Sequence, residues 1–308
     1  MAKEVQNVNL QTGILCAASA VCCLTGVMLC GCSEAIEPQE SNTADIVIPV
    51  TDPPKIVTTA ETTTTTPAPI DWSSNTEQKN EGVVIQNVPH FTQFTSYKTA
   101  CETLATCALL QYYGINMDPD LFLDGFLPIA DYPETDDDGE LHAESPWEYF
   151  IGDPMRKDAF GCYNGAIVRA LNKIKSGLGV ALRNKTLDTL CKDYIDKGEP
   201  VVIWATMHMA PAKKTFTWIM PDGDDYTFIS PEHALVLIGY DEKNYYFSDS
   251  LQSDAVCSYK KEAVETAYDA LYKQALVIDQ TVLPNLPDFW KMPAETAEEA
   301  DEGKEEAT

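Results

Sequence analysis

Cys101 stands at a position where cysteine chemistry is feasible, at the predicted start of a helix. In the segment 97–114, YKTACETLATCALLQYYG, apolar residues recur at helical spacing and predict a helix from about Thr99 to Tyr113. The unpaired N–H groups and the dipole of a first helical turn favour an anion, and the thiolate is the nucleophilic form of cysteine. Glu102 adds a like charge beside the sulfur, so a cationic imidazole would be needed to hold a thiolate there.

Histidine would complete such a site, and the sequence offers four candidates: His90, His142, His208 and His233. His233 opens an almost continuous apolar strand, 233–240, which is followed by the turn 241–244 and a return strand that ends at Asp249. Such a hairpin brings Asp249 towards His233, where an acid could hold the imidazole in one tautomer. The sequence does not fix the register, so two interpretations stay open: a Cys101–His233–Asp249 triad, or a satisfied histidine and a core cysteine.

The ten cysteines bear on the same choice. If Cys32 carries a lipid, the cysteines that follow it are Cys101, Cys107, Cys162, Cys191 and Cys257. Their odd number leaves at least one thiol unpaired within the chain. Three of them lie beside apolar residues of predicted helices, where a free cysteine acts as a small hydrophobic residue. Since the sequence has no CxxC pair and no Cys/His cluster, we predict neither a metal site nor a cofactor.

The N-terminal segment predicts export. Residues 13–31 form an uncharged apolar run about as long as a bilayer span, so 1–31 is a signal peptide or a membrane anchor. The run ends in LCGC, which resembles the lipobox at which bacterial lipoproteins are cleaved and lipidated, here on Cys32. An uncleaved transmembrane anchor and a buried core helix are the alternatives. We therefore expect a protein anchored to the outer face of a bacterial cell membrane.

Composition divides the rest of the chain into three parts. Residues 32–82 are rich in Thr and Pro and show no apolar period, which predicts a disordered linker; an edge strand at 45–50 is the alternative. Residues 83–285 suit one folded domain, and 286–308 form an acidic disordered tail. The net charge of -27 comes with no basic patch, so nucleic acid is excluded as a partner.

Within the domain, helical patterns come mainly first and strand patterns later. Besides 99–113, the predicted helices cover 162–177, 187–198 and 260–274. The predicted strands cover 83–88, 200–207, 214–220, 224–230, 233–240, 244–250 and 275–280. This order is typical of an α+β domain with helices packed on one side of an antiparallel sheet.

The motifs together resemble a known family. The segments are VPHFTQF at 88–94, CETLATCALLQYYG at 101–114, FIGDP at 150–154, GEPVVIW at 198–204, HALVLIGYD at 233–241 and YYFSDS at 245–250. In this order they resemble the papain-like cysteine peptidase family 39, which includes the bacteriocin double-glycine leader peptidases. Ala100 departs from the glycine that usually precedes the family's nucleophile, and no transporter segment accompanies the motifs.

That resemblance implies a papain-like fold and a catalytic site. Cys101 would be the nucleophile, His233 the general base and then acid, and Asp249 the residue that orients it. Gln93 would supply a side-chain N–H to an oxyanion hole beside the backbone N–H of Cys101. The implied function is an exported cysteine peptidase acting on a peptide or protein substrate. The alternative is a non-catalytic surface module that binds a peptide or a cell-envelope partner in the same groove.

Overall fold

The computed structural model of the chain describes residues 71–79, 82–94 and 96–291. Its α-helices are α1 (Cys101–Tyr112), α2 (Pro119–Gly125), α3 (Asn164–Ile174), α4 (Leu187–Asp193) and α5 (Lys261–Ala270). Its strands are β1 (Thr76–Lys79), β2 (Gly82–Ile85), β3 (Ile129–Ala130), β4 (Glu134–Thr135), β5 (Leu141–His142), β6 (Phe150–Ile151), β7 (Gly179–Arg183), β8 (Val201–Thr206), β9 (Lys213–Ile219), β10 (Asp225–Ser230), β11 (Glu232–Tyr240), β12 (Asn244–Ser248), β13 (Cys257–Lys260) and β14 (Gln274–Ile278).

The main sheet is antiparallel and has β8 and β11 near its centre. Its order is β1-β2-β11-β8-β14-β7, and β12 pairs with β11 and with β13. All six residues of β8 are buried, as are the first eight of β11. These near-continuous apolar runs therefore lie inside the domain, with protein on both faces, and the strands hold their side chains rigidly.

Helix α1 crosses this sheet inside the core. It packs against β11 and β8, and all of its residues except Gln111 are buried. A helix that is apolar all round is typical of a core position. Gly114 then ends the helix in the left-handed region, with φ of +76°. The packing fixes the N-terminal Cys101 against β11.

A smaller sheet stands beside the main one. It has the order β10-β9-β5-β4, and a short parallel pair joins β3 to β6. Phe160 makes edge-on contacts with Phe216 of β9 and Phe228 of β10, with ring centroids 5.4 and 5.2 Å apart. Such edge-to-face pairs are favourable for aromatic rings. They build an apolar wall on the small sheet.

Both ends of the described domain meet the C-terminal end of α1. Trp72 stacks against Tyr112 and Tyr113, with ring centroids 5.3 and 5.1 Å apart. At the other end of the chain, the N–H of Asn116 donates to the carbonyl of Trp290 at 2.6 Å. The domain thus extends beyond the predicted limits of 83 and 285, because aromatic residues in 71–79 and 286–291 pack onto it.

The predicted fold class is confirmed: helices pack on an antiparallel sheet in an α+β arrangement. Every predicted helix and strand between residues 83 and 280 has a counterpart, with ends shifted by a few residues. Helix α2 and strands β1, β3, β4, β5, β6, β7 and β13 were not predicted, and each of them is short. Cys162 was predicted to lie within a helix, but it precedes α3.

The predicted signal peptide or anchor 1–31, its lipidation site Cys32 and most of the linker 32–82 lie outside the described residues. The same holds for the acidic tail beyond residue 291. Among the residues that are described, no helix has the length and apolar character needed to cross a membrane.

Candidate active site

The Cys101 thiol lies against strand β11, next to His233. The sulfur Sγ accepts a hydrogen bond from the backbone N–H of Ala234 at 3.4 Å, and Cys101 is only 2% exposed. The preceding Ala100 has φ of −94°, which any L-residue adopts. The family's usual glycine is therefore not required at this turn, and the departure noted in the sequence has no conformational consequence.

His233 and Asp249 form a buried hydrogen-bonded pair. The Nε2 atom of His233 lies 2.7 Å from Oδ1 of Asp249, and both side chains are fully buried. Pairing of Val236 with Ser248 sets the register of the β11–β12 hairpin, so the residue after Ser248 reaches the imidazole. The predicted base and its orienting acid are thus brought together, as the hairpin pattern indicated.

Three donors hold Asp249 in place. The N–H of Leu251 donates to Oδ1 at 2.9 Å, and the hydroxyl of Tyr259 donates to Oδ2 at 2.7 Å. Burial raises the pKa of Asp249, but the hydrogen bond and charge of His233, together with those two donors, lower this pKa to about 2. Asp249 is therefore ionised and accepts a hydrogen bond from Nε2–H of His233, which leaves Nδ1 as the ring nitrogen without a partner in the described part of the chain.

The Nδ1 atom of His233 is buried and has no hydrogen-bond partner among the described residues. Buried polar atoms are usually paired, and exceptions concentrate where a function needs them. This nitrogen lies on a residue whose neighbour, Ala234, contacts the Cys101 sulfur. It is the ring atom available for proton exchange.

Gln93 is also at the site, held by the residue after Asp249. Its Oε1 accepts the hydroxyl of Ser250 at 2.6 Å, and its backbone N–H donates to the carbonyl of Ser250 at 3.1 Å. The Nε2 group makes only a long bond of 3.4 Å to the carbonyl of Lys98. Because Oε1 is fixed by Ser250, the amide presents Nε2 as its free donor. Ser250 was missed by the sequence reasoning.

Two buried glutamates complete the surroundings of Cys101, and neither was singled out as a site residue. Glu102 is fully buried: its Oε1 accepts the N–H of Cys162 at 2.6 Å, and its Oε2 accepts the Cys101 thiol at 3.2 Å. Glu232 is 7% exposed, and its Oε1 has no partner among the described residues. Their position directly after the cysteine and directly before the histidine was the signal available in the sequence.

The two carboxyl groups suppress each other's ionisation. Burial raises the pKa of Glu102 above its usual range. Burial and the neighbouring Glu102 together raise the pKa of Glu232 much further. Two carboxyl groups this close in a dry site cannot both carry a charge easily, so Glu232 is the one that holds a proton.

The same surroundings keep the thiol of Cys101 protonated. Burial, followed by the nearby Glu102 and Glu232, raises the pKa of Cys101 well above its usual value, and only the N–H of Ala234 acts in the opposite direction. The sequence reasoning expected the first helical turn to favour a thiolate. In the resting structure, loss of water and the adjacent carboxyl groups outweigh the helix dipole.

Gly161 makes room for the two glutamates. Its φ is +75°, and a Cβ atom there would lie 2.5 Å from Glu102 Oε1 and 2.8 Å from Glu232 Oε2. The positive φ and the lack of space for a Cβ atom both require glycine at this position. The loop carrying Gly161 thereby closes over the pair of carboxyl groups.

A pocket of about 660 Å³ opens beside Cys101. Its walls are mainly apolar and include Leu141, Met207, Phe160, Phe216 and Phe228. Cys101, Gly161 and Glu232 also line it. The nucleophile candidate and one carboxyl group therefore face the same cavity.

The other histidines lie elsewhere. His90 contacts the hydroxyl of Ser248 and the carbonyl of Gln252, and His142 pairs with Asp136 on the surface at 2.9 Å. His208 lies in a short 3-10 turn with φ of +53°. Of the four histidines, all of which the structure describes, only His233 pairs with a buried acid, and its neighbour Ala234 contacts the Cys101 sulfur.

Comparison with known proteins agrees with the resemblance seen in the motifs. The Peptidase C39 like family matches residues 85–276. An uncharacterized protein, YvpB of Bacillus subtilis, is 27% identical over 186 residues, which are 58% of this chain and 69% of YvpB.

Two solved structures also resemble this chain, to different degrees. A crystal structure of a candidate C39-like peptidase from Bacillus anthracis has a TM-score of 0.58 and 28% identity, covering 65% of this chain and 98% of that one. Xylellain, a cysteine protease from Xylella fastidiosa, is a weak likeness, with a TM-score of 0.29 and 15% identity over 63% of this chain and 87% of its own. The family match spans most of the described domain, including Cys101 and His233, and the chain belongs to the Peptidase C39 like family.

Proposed function

We propose that this protein is an exported cysteine peptidase that hydrolyses peptide bonds through Cys101, His233 and Asp249. The observation that carries the proposal is the buried pair of His233 and Asp249, whose Nε2 and Oδ1 atoms are 2.7 Å apart. The residue after His233, Ala234, donates its backbone N–H to the Cys101 sulfur. A base held by an acid beside a thiol at a helix N-terminus is the arrangement that activates cysteine. Membership of a peptidase family supports the same reading.

The chemical steps follow from these contacts. The thiol proton passes from Cys101 to Nδ1 of His233, and the sulfur forms a bond to the peptide carbonyl carbon. The tetrahedral intermediate collapses when the C–N bond breaks and His233 returns the proton to the leaving amine. Water then loses a proton to His233, attacks the thioester and releases the carboxylic acid, while the C–S bond breaks and Cys101 regains its proton.

Gln93 is proposed as an oxyanion donor. Its Nε2 group makes only the 3.4 Å bond to Lys98, which is long and easily exchanged, whereas Ser250 holds its oxygen. Together with the N–H of Cys101 it would stabilise the developing negative charge by roughly 3–4 kcal/mol per donor. Gln93→Ala should therefore slow turnover by about 100-fold or more without loss of folding.

The proposed location is the outer face of a bacterial cell membrane, with a lipid on Cys32. The basis is the apolar run 13–31 that ends in LCGC. In cells labelled with a radioactive fatty acid, the wild-type protein should carry label and sediment with membranes. Cys32→Ser should abolish the label; a labelled Cys32→Ser protein would overturn this assignment.

A binding module is the second candidate, and the protonated state of Cys101 favours it. Burial and two carboxyl groups raise the pKa of this thiol, which is the reverse of what a resting nucleophile needs. Such a module would bind a peptide in the same pocket without cleaving it. It would keep its affinity in Cys101→Ala.

Alkylation of individual cysteines distinguishes the two. Iodoacetamide is added at pH 4 to 9, and mass spectrometry gives the rate at each cysteine, with His233→Ala beside the wild type and buried Cys107 as internal reference. A peptidase requires Cys101 to react much faster than Cys107, and His233→Ala to abolish this advantage. It also requires a peptide library to be cleaved by the wild type and not by Cys101→Ala. Equal rates at the two cysteines, with no cleavage, would leave the binding module.

A further inference from the structure

Glu232 is a buried carboxyl group that nothing inside the domain pairs. Its Oε1 has no partner, and no lysine or arginine in the described part of the chain forms an ion pair with Glu102 or Glu232. Burying an unpaired polar group destabilises a fold, so such groups persist where a ligand uses them. Since Glu232 also lines the pocket beside Cys101, a substrate in that space would contact this side chain.

The rest of the pocket has the opposite character. Phe160, Phe216, Phe228, Leu141 and Met207 give it long apolar walls, and its volume of about 660 Å³ holds a whole side chain with room to spare. An alkyl stem would pack against such walls, and a polar end would not. The cavity is therefore apolar along its sides and acidic at the glutamate pair.

We propose that this pocket selects a cationic side chain, of lysine or arginine type, whose alkyl stem lies on the aromatic wall and whose charged end pairs with Glu232. The inference rests on the proposed peptidase function and specifies its substrate class. Long basic side chains bury the stem and keep the charge on a polar partner, which matches this division. The charged end would replace the missing partner of Glu232.

The titratable side chains packed around Glu232 in the described part of the chain are acids, thiols, phenols and one imidazole, with no lysine or arginine among them. The titratable groups that face it are Glu102 and Cys101 on α1, Cys162 and Tyr163 before α3, Tyr226 on β10 and the adjoining His233 on β11. Lys157 stands exposed on the rim of the pocket. A substrate cation would draw the proton away from Glu232, so the preference for a basic residue should increase as the pH rises.

A metal ion is the competing occupant. Cys101, Glu102 and Glu232 each offer one ligand atom, and these atoms lie within 4.8 Å of one another. However, both oxygens of Glu102 already accept hydrogen bonds, from Cys162 and from the Cys101 thiol. A metal ion would have to break these bonds. It would also make no contact with the apolar walls, whereas an alkyl side chain would pack against them. The geometry favours a side chain.

The test uses the full-length protein and one quenched fluorescent peptide scaffold. Lysine, norleucine or glutamate is placed in turn at each position around the scissile bond. Norleucine keeps the alkyl stem of lysine and lacks its charge. At one position, the wild type should give a kcat/KM for lysine about 10- to 100-fold above that for norleucine, the range expected for a hydrogen bond between charged groups.

Glu232→Gln should remove most of this lysine-to-norleucine ratio, because it removes the charge and keeps the shape of the side chain. The ratio is taken within each variant, so a change in the reactivity of Cys101 affects both peptides equally. Glu262→Gln makes the same chemical change at an exposed position of α5 and should keep the ratio. The alkylation rate of Cys101 in both variants reports on folding and on the nucleophile without turnover. Arginine peptides should follow lysine.

Four results would overturn the inference. Two of them concern the subsite alone: equal cleavage of the lysine and norleucine peptides by the wild type, or a ratio of their kcat/KM values that is unchanged in Glu232→Gln. Either result would contradict the proposed subsite and leave the proposed peptidase function unaffected. If zinc protects Cys101 from alkylation in the wild type but not in Glu232→Gln, and lysine gives no advantage, the glutamate pair is a metal site. If no scaffold is cleaved and Cys101 alkylates no faster than Cys107, the proposed function fails and the inference falls with it.

Discussion

At the scale of single residues, burial and the adjacent Glu102 keep the thiol of Cys101 protonated by raising its pKa. Glu102 follows Cys101 in the chain, accepts a hydrogen bond from its thiol at 3.2 Å and accepts another from the N–H of Cys162. A resting thiol avoids oxidation, since the thiolate is the form that oxidants attack.

Replacement of Glu102 by glutamine should make Cys101 more reactive. The amide oxygen can still accept the N–H of Cys162, while its NH₂ group would donate to sulfur, which stabilises the thiolate. Removing the adjacent negative charge lowers the pKa of Cys101 as well. We expect alkylation at pH 7 to be at least about tenfold faster than in the wild type, as for a hydrogen bond to a charged group. An unchanged rate relative to Cys107 would contradict this account.

Asp249 should contribute stability that is lost in acid. Its pKa of about 2 lies below the value of about 3.9 in an unfolded chain. The contribution is therefore complete above pH 4 and disappears as the pH falls from 4 to 2, and it amounts to about 2 kcal/mol. Urea titrations of Asp249→Asn and wild type should differ by this amount at pH 7 and converge near pH 2. A difference that grows in acid would have the wrong sign.

At the scale of elements, the site is built where three adjacent strands meet the end of α1. Strand β11 supplies His233, Asp249 follows β12, and β13 supplies Tyr259 for the second oxygen of Asp249. The strands are antiparallel neighbours, so each fixes the next in register. The positions of base and orienting acid thus depend on a strand, β13, that the sequence did not reveal.

Tyr259 should act as a positioning residue. Tyr259→Phe removes the hydroxyl that holds Asp249, so the imidazole loses part of its orientation while substrate contacts stay intact. We expect kcat to fall roughly tenfold with KM unchanged. Tyr240→Phe, which removes a similar bond to Asp196 at the far end of β11, is the matched control. Equal losses in both variants would mean a general effect on stability.

How far the sequence reaches can also be judged element by element. The β11–β12 hairpin was predictable because its strands are long, apolar and joined by a polar turn, which brings Asp249 towards His233. The register that pairs the two side chains was not predictable, and the sequence left a satisfied histidine as the alternative. The buried glutamates were not predictable. Glutamate is rarely buried without a partner, and only the tertiary approach of the loop with Gly161 shows that Glu102 and Glu232 share one space.

At the scale of the whole molecule, charge is the dominant property. The chain carries 48 acidic and 21 basic residues, and its field attracts cations at a distance. This long-range effect is separate from the contact with Glu232 in the pocket. It acts on the rate of encounter and is screened by salt.

Salt should therefore affect only charged substrates. For a peptide with lysines placed well outside the cleaved segment, kcat/KM should fall by about tenfold between low and physiological ionic strength. The same peptide with glutamines in place of those lysines should change little. Stopped or continuous fluorescence assays at several salt concentrations give both values. An identical salt response for the two peptides would exclude steering by the net charge.

The positions of the two ends of the described domain determine where it can be attached without covering the pocket. Trp72 and Trp290 both lie at the C-terminal end of α1, and Cys101 begins the same helix twelve residues earlier. A helix of this length spans about 18 Å. A tether joined at residue 71 or residue 291, whether from a cell surface, a bead or a fusion partner, would therefore lie about one helix length from the pocket that Cys101 lines. Immobilising the domain at either of these positions should leave the pocket open to large substrates.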